Sequence, residues 1–185
     1  AVLLWIILIP PFTITGIFFH QIYIANINNI DLIFWSSNYI WYAFSAIFGA
    51  FFSGTLIDKY TAHKVASISQ IPMLFACFFL WQVSIPLFTI LFFTFFGLAS
   101  GMTPPVFNVL IAERYGTKWL GEIKAMALPL TVFSSALSPF ILGLMIDDGY
   151  KFSDIVFFLF FLSSLSFTTP LILFNLFRNF KYNKN

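Results

Sequence analysis

The stretch "GTLIDKYTAHKV", Gly54 to Val65, sets Asp58, Lys59, His63 and Lys64 between two long apolar runs. Such a cluster stands out in a 185-residue chain with 9% charged residues, 60% hydrophobic residues, 22% aromatics and a mean hydropathy of +0.93. Those values lie outside the range of water-soluble globular domains and make the flanking runs membrane crossings. A helix rising ~1.5 Å per residue needs about 20 residues to cross ~30 Å of hydrocarbon. The chain has room for about six such spans with short connections and no sizeable soluble domain.

Working outward from the charged stretch, spans are expected at 34–57 and 65–82, then at 1–26, 86–111, 124–146 and 155–177. The connections read "INNID" (27–31), the opening stretch itself, "QVSIP" (82–86), "ERYGTKWLGEIK" (113–124) and "DDGYKFSD" (147–154), followed by the tail "RNFKYNKN" (178–185). Backbone amides find no water in lipid, so each apolar run is expected to be helical; the alternation of an outer-membrane strand is absent. Lys59, Lys64, Arg114, Lys118, Lys124, Arg178, Lys181 and Lys184 put eight of the nine basic residues on one side. Lys151 lies on the other, with Asp31, Asp147, Asp148 and Asp154. The positive-inside rule then makes the loops at 58–64 and 113–124 and the tail cytoplasmic, in a multi-pass protein of the cell inner membrane.

Composition excludes several classes. A net charge of 9 − 7 = +2 is too small for a nucleic-acid partner. The single Cys77 allows neither a disulfide framework nor a multi-cysteine metal site within the chain. Ala1 begins inside an apolar segment with no basic stretch before it, so no signal peptide is read and an excerpt of a longer chain is expected. No residue pattern calls for a cofactor.

The order of residues in the opening stretch goes beyond a topology signal. Gly54, Leu56, Asp58 and Lys59 reproduce the G-x-L-x-D-[RK] core found between the second and third helices of a half of the major facilitator superfamily, which the chain resembles. The family loop continues x-G-[RK]-[RK]; here Thr61 takes the glycine place, Ala62 and His63 replace basic residues, and Lys64 comes one step later. A second stretch, "ERYGTKWLGEIKAMALPLTVFSSALSPFILGLMID" (113–147), resembles the fourth-to-fifth helix region of the C-terminal half in bacterial members. "GTLID" closes the second span and "GLMID" the fifth. The resemblance implies an all-α membrane protein whose residues 1–185 form six transmembrane helices as two inverted three-helix repeats, the C-terminal half of a 12-helix fold. It implies a partner, the N-terminal half, outside this sequence. It further implies that the first and fourth helices line a cavity, that the second and fifth flank the other half, and that the third and sixth face lipid. Gly54, Asp58, Lys59 and Lys64 would form the motif that holds one access state.

Candidate site residues follow from chemistry and position. "PPFTITG" (10–16) can interrupt the first span and expose carbonyls to a cavity, or form a packing kink. His20 and Gln21 follow it and are expected either to touch substrate or to serve as interhelical glue. Asn108 can bond a substrate or a neighbouring helix, and Tyr42, beside Trp41, can line the cavity or belong to an aromatic belt. Gly97-x-x-x-Gly101 is read as a close helix contact. Glu113 and Arg114 at the inner boundary are assigned an interfacial or gating role. The acidic residues all fall at span ends or in connections, which leaves no intramembrane carboxylate relay in this half. The leading expectation is a secondary active transporter that moves a small solute by alternating access, with membrane lipid and a small-molecule substrate as partners. An organic anion is the expected class, from His20 and the lack of an acidic partner for a cation. An intramembrane enzyme is the alternative, but H-E-x-x-H, G-x-S-x-G and paired intramembrane carboxylates are all missing. A membrane subunit of a pump is another, and it would need a separate ATPase because no P-loop occurs.

Overall fold

Main-chain groups that meet no water must pair within their own segment, and the apolar runs accordingly form helices. A computed structural model describes residues 2–182, with side chains described at 5–62 and 64–171. Among the described residues there are nine helices and no strand: α1 (Val2–Phe19), α2 (Gln21–Ile27), α3 (Leu32–Ser37), α4 (Tyr39–Lys59), α5 (Ala62–Ile68), α6 (Ile71–Trp81), α7 (Pro86–Tyr115), α8 (Leu120–Asp147) and α9 (Phe152–Tyr182). The side chains of His63, Arg178 and Lys181, and all of Lys184, lie outside the described residues.

Among the described residues, five stretches are long and apolar enough to cross a membrane: Leu32–Lys59, Lys64–Trp81, Pro86–Tyr115, Leu120–Asp147 and Phe152–Leu171. A sixth is obtained if Trp5–Phe19 and Gln21–Ile27, bent by 61°, count as one span. The bend is not at Pro10–Pro11, which stay inside α1, but at His20. Proline in a helix interior removes the donor to the carbonyl four residues back, here those of Ile6 and Ile7. In the same turn the Ser134 hydroxyl of α8 donates to the Leu8 carbonyl at 2.8 Å and ties the two helices together beside the proline pair. At His20 the Gly16 carbonyl receives both the backbone N–H, at 3.2 Å, and the ring Nδ1, at 3.1 Å, and the chain turns.

The expected second and third spans are each built of two helices. Asn38 joins α3 to α4 in near-helical geometry, and Asp31 starts α3 by accepting the Phe34 N–H at 3.1 Å. Ser69 and Gln70 separate α5 from α6. The turn from α4 to α5 passes through Tyr60 (φ −129, ψ 159) and Thr61 (φ −67, ψ 148), both extended. No left-handed residue is needed there, so threonine replaces the motif glycine without strain. Positive φ falls instead at Asn29, in the loop after α2, and at Gly116 and Gly149, just past α7 and α8, where glycine ends a helix at low cost.

Packing is arranged around α1 and α7. Helix α4 lies along α7 and α8 along α1; α6 covers α7, α9 covers α1, and α5 and α6 both meet α9. Glycine permits the closest approaches: a Cβ at Gly97 would collide with Tyr42 and Ser45, one at Gly101 with the Ala46 backbone, and one at Gly16 with Ser138 and Leu142. The Gly97-x-x-x-Gly101 face is therefore the α4–α7 seam. Coverage differs between spans. In their most apolar stretches, 11% of Leu32–Lys59 and 17% of Leu120–Asp147 are buried, against 39% to 56% in the other three. The third span, expected to face lipid, is the most covered: the small Ala66 and Ala76 are fully buried against neighbours, and Gln70 accepts the Ser166 hydroxyl of α9 at 3.0 Å. In α9, Val156, Leu159, Ser163 and Ser166 turn inward while Phe157, Phe160 and Phe161 stay exposed.

A hydrogen-bonded contact between loops or helix ends marks each end of the bundle. At one, the Ala62 N–H meets both carboxylate oxygens of Glu113, at 2.9 and 3.0 Å, and joins the loop after α4 to the end of α7. This end carries Lys59, Lys64, Arg114, Lys118 and Lys124 and is called basic. At the other, Ser84 donates to Asn28 at 3.1 Å, joining the loop after α2 to the loop after α6. Phe152, next to Lys151, lines a small void with His20 and Tyr23 at that same end. With Asp31, Asp147, Asp148 and Asp154, it is called acidic.

Candidate functional site

Three helical stripes meet at the basic half of the bundle and line an open-sided cavity of about 410 Å³, with Pro104, Asn108 and Leu128 exposed at its rim. From α1 come Ile6, Ile7, Pro11 and Ile14; from α7, Ser100, Thr103, Pro104, Phe107 and Asn108; from α8, Lys124, Leu128 and Thr131. Each set follows the three-and-four spacing that puts side chains on one face of a helix. The volume lies in the range of small-molecule sites, and the wall is mostly apolar with a few polar groups, as such sites usually are. Two proline pairs flank the space. Pro10 and Pro11 leave the carbonyls of Ile6 and Ile7 without helix donors, and Pro104 and Pro105 do the same for Ser100 and Gly101.

The polar groups differ in what they have left to offer. The Thr103 hydroxyl donates to the Ala99 carbonyl at 2.8 Å, and that of Thr131 to Leu128 at 2.7 Å. Ser100 accepts the Tyr42 hydroxyl at 2.8 Å, which leaves its own proton free. Asn108 and Lys124 have no hydrogen-bond or ion-pair partner among the described residues.

The four residues expected to contact substrate are divided between the two ends. Asn108 lines the cavity, and Tyr42 reaches it through Ser100. His20 and Gln21 lie at the acidic end. The His20 bond to Gly16 requires the proton on Nδ1, and the Tyr39 hydroxyl donates to Gln21 Oε1, tying α2 to α4. Aromatic rings lie between the two places: Phe18 stacks on Tyr39 at 5.8 Å and meets Tyr42 and Phe96 edge-on or tilted, each at 5.2 Å. Phe93 and Trp35 extend the cluster.

The motif residues lie on the surface at the basic end. Asp58, Lys59 and Lys64 are exposed, and a Cβ at Gly54 would meet nothing within 4 Å. Glu113 caps α5 from α7, a task that the adjacent Thr61 side chain does not perform. Arg114 is exposed beside it and engaged in an interaction of its own. Lys124, Thr131, Ser100 and Thr103 were legible only as a topology signal and as small polar residues, although the spacing 124, 128, 131 marks a helix face. No protein-family model matches this chain, and no match among curated proteins is found.

Proposed function

We propose that the chain is a six-helix half of a secondary active transporter of the major facilitator type, which moves a small solute through the cavity between α1, α7 and α8 by alternating access. The observation that carries this reading is the contact pattern. Numbering the spans in order, exchanging one with four, two with five and three with six turns the α1·α8 contact into α7·α4 and the α1·α9 contact into α7·α6, while the contact of the third and sixth spans maps onto itself. A shift of three crossings reverses direction, which is the relation between inverted repeats. The proline pairs of α1 and α7 fall on exchanged helices, as do the glycine-mediated seams.

The thin coverage of the second and fifth spans supports a second half docking against α4 and α8, with Gly54, Asp58, Lys59 and Lys64 at its edge. The basic end would face the cytoplasm of an inner-membrane protein. Tyr42 and Asn108 belong to the substrate path, and His20 and Gln21 to the closed end through which the solute passes in the opposite state. Glu113 and Arg114 serve gating, by coupling α7 to the loop that carries the motif. Transport is favoured over intramembrane catalysis because the cavity groups form no nucleophile and base pair. Vesicles containing the full protein, loaded with a panel of small organic anions, test this. Gradient-driven flux of an unaltered solute without ATP is expected. Strict ATP dependence would replace the reading with a pump subunit, and a chemically altered solute with an enzyme.

A further inference from the structure

The cavity holds a cation without a counter-ion. Lys124 sits half-buried in its wall, no carboxylate lines the space, and the ammonium has no partner among the described residues. An ammonium held against apolar groups is unfavourable unless an anion joins it. The other unspent donors are the Asn108 amide and the Ser100 hydroxyl, because the two threonine protons are already given to backbone carbonyls. Around them the wall is hydrocarbon, from Ile6, Ile14, Phe107 and Leu128.

We infer that this cavity binds a small monocarboxylate with a compact apolar body, the carboxylate held by Lys124 and Asn108 and the body lying against Ile6, Ile14, Phe107 and Leu128. One cation decides the charge. A phosphate or dicarboxylate would bring a second negative charge into an apolar space lined by no second cation among the described residues. A neutral solute would leave Lys124 unpaired. The inference rests on the transporter reading in taking the cavity as the solute path, and it makes Lys124 the residue that selects the substrate class.

The test is calorimetric titration of the full protein in lipid nanodiscs with hexanoate and with its uncharged counterpart hexanamide, protein-free discs being subtracted. Hexanoate is expected to bind roughly tenfold or more tightly than hexanamide, since a hydrogen bond to a charged group is worth at least that factor. Lys124→Gln should abolish the preference by weakening hexanoate alone, and Lys124→Arg should keep it. Equal binding of the two compounds to the unaltered protein would overturn the inference with no variant required. So would a preference that survives in Lys124→Gln. The two readings fail separately. Lys124-dependent binding without flux in vesicles supports the carboxylate site and removes the transporter. Flux of a neutral solute that hexanoate does not inhibit keeps the transporter and removes the carboxylate site.

Discussion

Asp58 and Glu113 are carboxylates at the same end of the bundle with opposite situations. Glu113 is spent: both its oxygens receive the Ala62 N–H, in place of the cap that Thr61 does not form. Asp58 is exposed and makes no bond within the described residues. Their substitutions should therefore separate stability from function. Glu113→Ala should lower the unfolding free energy by about 1 kcal/mol, the usual worth of a helix cap, read by thermal unfolding in detergent. Asp58→Asn should leave stability within about 0.5 kcal/mol while shifting the balance of access states severalfold, since a carboxylate that meets a helix N-terminus of a second half contributes up to about 1 kcal/mol. Unchanged transport and unchanged accessibility in that variant would reduce the motif to a topology signal. The sequence made Asp58 legible through the order of its neighbours. The cap by Glu113 was not legible, because the residues it joins are 51 apart and only the packing of α5 on α7 brings them together.

Elements were read with uneven success, for physical reasons. The run of apolar residues located the spans, since length and hydropathy alone decide what can cross lipid. Breaks were harder. Pro10–Pro11 marked an irregular place, yet α1 runs through it with Ser134 supplying a bond from α8, and the bend comes at His20, where a ring nitrogen shares a main-chain carbonyl. Such a tie comes from a neighbour more than a hundred residues away. The seam between α4 and α7 was legible, because two glycines four apart have few other uses in a membrane helix. It gives a paired prediction. Gly101→Leu drives a side chain into the Ala46 backbone and should abolish the monodisperse folded fraction on size-exclusion chromatography. A Cβ at Gly54 meets nothing within 4 Å, so Gly54→Leu should retain folded yield. Its cost should appear in transport, if the face beside the motif receives a second half. A folded Gly101→Leu protein would show that α4 and α7 tolerate separation, contrary to the tight seam.

At the scale of the whole molecule the two ends are built differently. The acidic end is closed by Phe18, Tyr39, Tyr42 and Phe96 and tied by Gln21 to Tyr39 and by Ser84 to Asn28. The basic half holds the 410 Å³ cavity. Charge alone placed the loops on two sides, because Lys and Arg cluster where translocation is disfavoured. It did not locate the cavity, which arises from three faces on separate helices. Combining the two gives a sidedness prediction for single cysteines in a background lacking Cys77. Asn29→Cys, Ser84→Cys and Lys151→Cys should react with a membrane-impermeant thiol reagent from outside the cell, and Tyr60→Cys and Lys118→Cys only from inside. In the state described, Thr131→Cys should behave like the second group, because it lines a cavity in the basic half. Gln21→Cys should be reached, if at all, from the side of Ser84. Hexanoate should slow labelling at Thr131 and leave the rate at Gln21 unchanged, since aromatic rings separate the two places. Protection at Gln21 instead would move the substrate to the acidic end, and labelling of Thr131 from the Ser84 side would invert the bundle.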